Sequence, residues 1–127
     1  MTAIQDLGNS RHIQLTTYRR DGRAVATPVW VALNGDELFV VTEAGSGKVK
    51  RIRNSGRVTV TACDIRGRVQ PGAVSAEGQA RVLSDAETEA GRKLIARKYV
   101  TSRLGNGLAR LFRVRRAPMA GVAITLV

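Results

Sequence analysis

Apolar and polar residues alternate along the first third of the chain, which is the period-2 pattern of strands with one buried face. Residues 12–18 (HIQLTTY) alternate residue by residue, and the predicted strands that follow at 24–33 (AVATPVWVAL) and 37–42 (ELFVVT) are mostly apolar. Asp21-Gly22 and Asn34-Gly35 separate them, and each pair supplies the positive φ that a tight hairpin needs. The pattern therefore predicts three consecutive strands in an antiparallel meander.

Pro28 lies inside the second predicted strand. Proline has no N–H to donate to a sheet ladder, so a strand that contains it must be open on one side. We therefore expect solvent, a ligand or a bulge beside residue 28.

The segment 46–54 (SGKVKRIRN) is predicted to form a short helix. Ser46 stands at the N-cap position, and Val49 and Ile52 are three residues apart on the expected buried side. The remaining positions of this helix are mostly basic, which predicts a solvated or anion-binding face.

Alternation resumes in residues 57–65 and 73–83, which are predicted to be the fourth and fifth strands. Ser84 and Glu87 form a capping box, which begins a helix to about residue 100 with Leu94, Ile95 and Tyr99 as expected core contacts. The last elements are a break at Gly105 to Gly107, a short amphipathic helix over 108–114 and an apolar sixth strand over 119–127.

Six mainly antiparallel strands with peripheral helices predict a mainly β fold, a closed or split barrel, as one domain over residues 1–127. Regular alternation of strands and helices is absent, and no G-x-G-x-x-G motif follows the first strand, so the pattern argues against a dinucleotide-binding α/β fold.

The net charge of +11 is concentrated in two places. Residues 90–127 carry nine basic and no acidic side chains, and five more basic residues fall between Lys48 and Arg57. Because the second group adjoins a strand end and a helix N-terminus, we interpret it as a place for a phosphate, against the alternative of a solvated helix face.

The single cysteine and single histidine make metal or thiol chemistry improbable, so we expect no metal site and structural roles for His12 and Cys63. No stretch has the roughly 20 apolar residues of a membrane span, and the first residues lack the pattern of a signal peptide. A cytoplasmic protein is expected.

Three segments together carry a family resemblance: T-P-V-W at 27–30, T-E-A-G-S-G-K-V-K-R at 42–51 and R-V-T-V-T-A-C-D-I-R-G-R at 57–68. With them, the chain resembles the flavin and deazaflavin oxidoreductases of the pyridoxamine 5'-phosphate oxidase-like split-barrel superfamily. It is most similar to the actinobacterial branch of coenzyme F420-dependent enzymes.

The resemblance implies a homodimer with a cofactor in each of two clefts between the protomers. The cofactor phosphate would meet the segment from Ser46 to Arg51, and the ring would lie near Thr27, Pro28, Val29 and Trp30. Thr42 would lie close by. The implied cofactor-binding residues are thus Thr27, Pro28, Val29, Trp30, Thr42, Ser46, Gly47, Lys48, Lys50 and Arg51. The alternative for Trp30 is a plain core residue.

The implied activity is transfer of a hydride from reduced coenzyme F420 to a small, lipophilic or conjugated electrophile. The alternatives are an FMN-dependent oxidoreductase and a non-enzymatic flavin, deazaflavin or haem carrier on the same barrel. No catalytic side chain is identified. A nucleic-acid-binding module ranks last, because the chain has few aromatic residues for stacking.

Two further basic regions have alternative interpretations. Arg66 and Arg68 could reach an anionic cofactor tail, or they could form a turn network with Asp64. The basic helices of the last third, including Arg97 and Lys98, could contact an anionic membrane weakly, or they could pack on the barrel with their arginines in solvent.

Overall fold

Six antiparallel strands close into a barrel in the computed structural model, which describes residues 3–64, 66–100 and 119–127. The strands are β1 His12–Tyr18, β2 Ala24–Asn34, β3 Glu37–Glu43, β4 Arg57–Cys63, β5 Ser75–Val82 and β6 Met119–Leu126, and the helices are α1 Ala3–Gly8, α2 Gly47–Asn54 and α3 Asp85–Val100. Around the barrel the order is β1-β2-β3-β6-β5-β4. The predicted mainly β, six-stranded antiparallel barrel is confirmed.

The two predicted hairpins form, but their turns differ in detail from the prediction. Tyr18 pairs with Ala24, so five residues connect β1 and β2, and Gly22 supplies the positive φ of 89°. Asn34 belongs to β2 and pairs with Glu37, so the second turn is centred on Gly35 (φ 63°) and the residue after it. Glycine at the first central position is the requirement of a type II′ turn.

The barrel interior is filled by the alternating apolar residues that the sequence pattern identified. Among the fully buried side chains are Ile13, Leu15, Val31, Val40, Val60, Val122 and Ile124. Val49 and Ile52 of α2 are buried, as predicted. Helix α1 was not predicted, because six residues carry too little periodicity to detect; its Leu7 is fully buried in the same core.

Helix α3 packs on the outside of the barrel over Phe39 of β3, which is 1% exposed. The predicted capping box is confirmed: the Glu87 amide donates to Ser84 Oγ at 3.2 Å, and the Ser84 amide donates to Glu87 Oε1 at 3.3 Å. Ile95 is fully buried and Leu94 packs against the same cluster. Gly91 lets the helix approach the Phe39 ring closely.

Lys98 has a different role from the one expected for a basic surface residue. Its Nζ donates to the carbonyl oxygens of Gly8, Ser10 and Val31 at 2.6–2.7 Å. Burial lowers the pKa of this ammonium group to about 8. Because all three N–H donors are aimed at backbone oxygens, Lys98 joins the end of α3 to the end of α1 and to β2.

Other predicted boundaries differ by a few residues at strand ends. The fourth strand ends at Cys63 instead of residue 65, and the fifth begins at Ser75 instead of residue 73. The predicted break at Gly105 to Gly107, the helix over 108–114 and the Tyr99 side chain lie outside the described residues. Within the described part of the chain, no helix is long and apolar enough to span a membrane.

Candidate functional site

A gap opens between β2 and β3 at the middle of β2. The two strands pair only from Val31 and Val40 to the turn, while the first half of β2 pairs with β1 alone. Beyond the last paired residues, β3 continues along β6, where Thr42 faces Ala120. Pro28 lies in the half of β2 that has no partner on the β3 side, so the predicted opening beside this proline is confirmed.

The gap widens into a cleft of about 400 Å³, a volume in the range of small-molecule sites. Six of the ten residues implied by the resemblance line it: Pro28, Val29, Trp30, Thr42, Ser46 and Lys48. Thr27, Gly47, Lys50 and Arg51 are not in the lining. His12, Val41, Glu43 and Met119 complete the wall. The cleft thus combines an apolar side, donors from the start of α2 and the carboxylate of Glu43.

Two hydroxyl groups at this site have no hydrogen-bond partner. Ser46 is the N-cap residue of α2 (φ −72°, ψ 158°), but its side chain makes no capping bond, contrary to the predicted cap. Its Oγ and the Oγ1 of Thr27 are both buried and unpaired. A buried polar atom without a partner costs about 1–3 kcal/mol. Ser46 lines the cleft, so its hydroxyl is available to a bound ligand, whereas Thr27 is not part of the lining.

The basic residues of α2 face different surroundings. Lys48, in the first turn, faces the cleft, and Lys50 is exposed. Arg51 turns away from the cleft: its Nε donates to Thr17 Oγ1 at 2.6 Å. Its guanidinium also covers Gly47, where a Cβ would lie 2.6 Å from Arg51 Nη1. Only the first turn of the helix can therefore contribute donors directly to the cleft.

His12 is a cleft residue that the sequence analysis assigned to structure. It is 5% exposed and pairs with Trp30 of β2 and with Cys63 of β4. Burial lowers its pKa below 6.5, and the positive charges of Lys98 and Arg11 act in the same direction. The imidazole is therefore neutral at pH 7. The two-residue turn predicted at Asp21-Gly22 would place residue 12 opposite Val31, so no signal in the sequence indicated its pairing with Trp30.

The turn after β4 is a network centred on Asp64. Its Oδ1 accepts bonds from the amides of Arg66 and Arg68 at 2.9 Å, and its Oδ2 accepts from Arg68 Nε at 3.0 Å. The Arg68 amide, the largest cause, lowers the pKa of Asp64. The turn network considered as an alternative is therefore present. Gly67 of the same turn packs beside the Pro28 ring, at the edge of the cleft.

Cys63 lies next to His12 on the neighbouring strand. Burial, followed by the nearby Asp64 carboxylate, raises the pKa of its thiol. A raised pKa keeps the thiol protonated at pH 7, which is the unreactive form. The structure thus gives Cys63 no sign of an activated nucleophile.

The closed barrel with a ligand-sized cleft beside an interrupted strand pairing defines the class: a small β-barrel of the split-barrel type. The family model described as pyridoxamine 5'-phosphate oxidase matches residues 2–118. The chain therefore belongs to the pyridoxamine 5'-phosphate oxidase family. No curated protein sequence matches it.

Solved structures with the same fold differ in what they do. The chain is similar to a conserved hypothetical protein from Mycobacterium tuberculosis (23% identity, TM-score 0.68, 97% of this chain and 77% of that one). It is also similar to an F420 reductase, with 16% identity and a TM-score of 0.64, over 97% of this chain and 92% of that one. A third similar structure is the haem storage protein HutZ from Vibrio cholerae, with 13% identity and a TM-score of 0.66, over 97% of this chain and 86% of that one. At these identities the likeness shows the fold alone.

Proposed function

We propose that this protein is an oxidoreductase that binds coenzyme F420 in the β2–β3 cleft and reduces a small lipophilic or conjugated electrophile. The observation that carries the proposal is the joint lining of one cleft by Trp30, Ser46 and Lys48. An F420 reductase with the same fold supports the choice of cofactor class. FMN, which shares the tricyclic ring and ribityl phosphate, is the runner-up.

The donor set of the cleft fits a phosphorylated tricyclic cofactor. Ser46 Oγ is buried without a partner, and Lys48 stands in the first turn of α2, where the helix dipole also favours an anion. Val29, Trp30 and Met119 offer apolar surface for a ring.

When bound, the cofactor would supply the hydride chemistry, for which the chain has no group of its own. The side chains of the cleft would hold and orient the cofactor: Ser46 and Lys48 fix its anionic end, and Trp30 limits the position of its ring. His12, neutral at pH 7, carries one N–H and one free nitrogen lone pair. It is thus the cleft residue best suited to give or accept a proton or to fix a polar ring atom.

We further propose that the protein works as a homodimer whose two clefts are completed between the protomers. The cleft is a lateral gap at the barrel surface, and its wall contains both polar and apolar residues. A partner surface would cover the ring and exclude water from it. Size-exclusion chromatography with light scattering tests this part by itself, and a monomer that binds cofactor fully would contradict it.

Cofactor binding tests the main proposal directly. Purified protein is titrated with oxidised coenzyme F420 and separately with FMN, following Trp30 fluorescence and equilibrium dialysis. Lys48→Ala and Ser46→Ala are each expected to weaken binding about tenfold, since each removes a bond to an ionised phosphate. Arg53→Ala is the matched control, because Arg53 is an exposed cation of the same helix outside the cleft lining.

The outcomes separate the alternatives. Tighter binding of F420 than of FMN, lost in the two cleft variants and kept in Arg53→Ala, supports the proposal. Reduced cofactor is then mixed with quinones and conjugated tetrapyrroles to find an electron acceptor. Binding of neither cofactor, or an equal effect of Arg53→Ala, would refute the assignment of this cleft.

Haem binding is the second candidate, and the position of His12 favours it. A buried neutral imidazole in a cleft is a suitable axial ligand for haem iron. The haem storage protein HutZ has the same fold. The test is titration with haemin: a Soret shift that disappears in His12→Ala would support haem binding, and an unchanged spectrum in that variant would exclude His12 as the ligand.

A further inference from the structure

A second concave surface lies between the β1–β2 connection and the C-terminal end of α2. It encloses about 340 Å³ and is lined by Arg19, Arg20, Arg51 and Arg57, with Tyr18, Asn54 and Ser55 nearby. We name this surface the arginine basin. Among the described residues, none lines both this surface and the β2–β3 cleft, and none with an acidic side chain is part of the basin wall.

Ion pairing separates the basin arginines from four other arginines in the part of the chain that the structure describes. Arg23, Arg68, Arg81 and Arg92 each form an ion pair with an aspartate or glutamate. Within the described residues, none of the four basin arginines does. Four like charges around one small volume repel each other, and an anion between them removes that repulsion.

The basin arginines are partly held in place before any ligand arrives. The guanidinium of Arg57 stacks over the Tyr18 ring, 4.5 Å from its centroid, and the Tyr18 hydroxyl is bonded to Thr59 at 2.8 Å. Arg51 uses its Nε on Thr17, which leaves its other N–H groups for the basin. Held side chains lose less entropy when they bind than free ones do.

The positive charge of the basin is larger than the partial negative charge at the helix end that borders it. The C-terminal end of α2 carries a partial charge of about −0.5, whereas the four guanidinium groups carry a full positive charge each. Asn54 and Ser55 add neutral donors at the same edge. The local field therefore favours an anion with more than one charged group.

We propose that the arginine basin binds the oligophosphate group of a small molecule, either a free oligophosphate or the phosphate chain of a nucleotide. Guanidinium groups match phosphate oxygens with two parallel hydrogen bonds. One face of the Tyr18 ring is covered by Arg57, so that face of the aromatic ring in the wall is not open for stacking with a base. The recognition that we propose rests mainly on the phosphates.

Calorimetric titration with tripolyphosphate, ATP and AMP at about 0.15 M salt tests the proposal, at an ionic strength that screens loose surface attraction. Tripolyphosphate and ATP are expected to bind with similar affinity. AMP, which has a single phosphate, is expected to bind at least about tenfold more weakly. Tighter ATP than tripolyphosphate, with the same dependence on the basin, would identify the nucleotide as the source of the phosphates.

Arg20→Gln and Arg57→Gln are each expected to weaken tripolyphosphate binding about tenfold, the loss of charge-assisted bonds to one guanidinium. Both positions are exposed, so circular dichroism should show unchanged folding. Arg66→Gln is the matched control: it removes an exposed arginine that lacks a carboxylate partner in the described residues and lies outside the basin.

Three results would overturn the proposal. They are no tripolyphosphate binding by the unmodified protein, an equal loss in Arg66→Gln, and AMP binding as tight as that of ATP. Tighter binding of a single-stranded oligonucleotide than of tripolyphosphate would also refute it, because the preferred ligand would then be a polynucleotide and not an oligophosphate group. The outcome is independent of the proposed redox function, since cofactor binding in the cleft is measured by Trp30 fluorescence in the same variants.

Discussion

Gly91→Ala is expected to destabilise the fold, although alanine is the better helix former. A Cβ at this position would lie 2.0, 2.2 and 2.4 Å from three ring atoms of Phe39. Carbon atoms in ordinary contact are about 3.5–4.0 Å apart, so the helix and the ring must separate by about 1.5 Å. Phe39 is 1% exposed in a packed cluster, which leaves its ring no free space to enter.

The two opposing effects can be compared in size. Overpacking of a core costs about 1–3 kcal/mol, and overlap with three atoms of a confined ring puts this case near the upper value. The higher helix propensity of alanine returns about 1 kcal/mol. We therefore expect a net loss of about 2 kcal/mol in the free energy of unfolding, which is a fall of about 1 M in the urea midpoint at an ordinary denaturant dependence.

Urea unfolding followed by far-UV circular dichroism measures this change, and Phe39→Leu provides the control background. In Phe39→Leu the smaller side chain gives the new methyl group room, so adding Gly91→Ala should cost less than about 0.5 kcal/mol there. Equal or higher stability of Gly91→Ala alone would show that the close approach of α3 to Phe39 is wrong. An identical cost in both backgrounds would show that Phe39 is not the cause.

Two further predictions concern the bonds of Lys98 and the pH dependence of stability that His12 causes. Lys98→Met should lower the free energy of unfolding by about 3 kcal/mol, because three carbonyl oxygens lose a charged donor, and urea unfolding measures it. His12 has a folded-state pKa below its ordinary value of 6.5, so the unfolded chain binds the proton more readily. Stability should therefore fall as the pH drops below about 6.5, and thermal unfolding of His12→Gln should lack this part of the acid dependence.

The sequence alone determined the features that depend on neighbouring residues. Hydrophobic patterning located all six strands: alternation marked strands with one buried face, and a continuous apolar run marked β6. The Ser84 and Glu87 pair located the start of α3, since both capping bonds are local. Pro28 predicted an opening in β2 from the missing N–H alone. The resemblance supplied six residues that do line the cleft.

Features that depend on pairing between distant segments were decided by the tertiary structure. Barrel closure brings Met119 of β6 against Glu43 of β3 and so into the cleft wall, and the β1–β2 register brings His12 opposite Trp30. Neither position is marked by its immediate neighbours in the chain. Lys98 was likewise read as a surface cation, although it is bonded to carbonyls about 90 residues away.

The division of α2 between two sites is the clearest case of this limit. Lys48 and Arg51 stand three residues apart in one basic run, and the sequence treats them as equivalent phosphate ligands. In the fold, the start of the helix adjoins the β2–β3 cleft and its end adjoins the β1–β2 connection. Composition sets how much positive charge a helix carries, but which anion each charge meets depends on the strands packed against it.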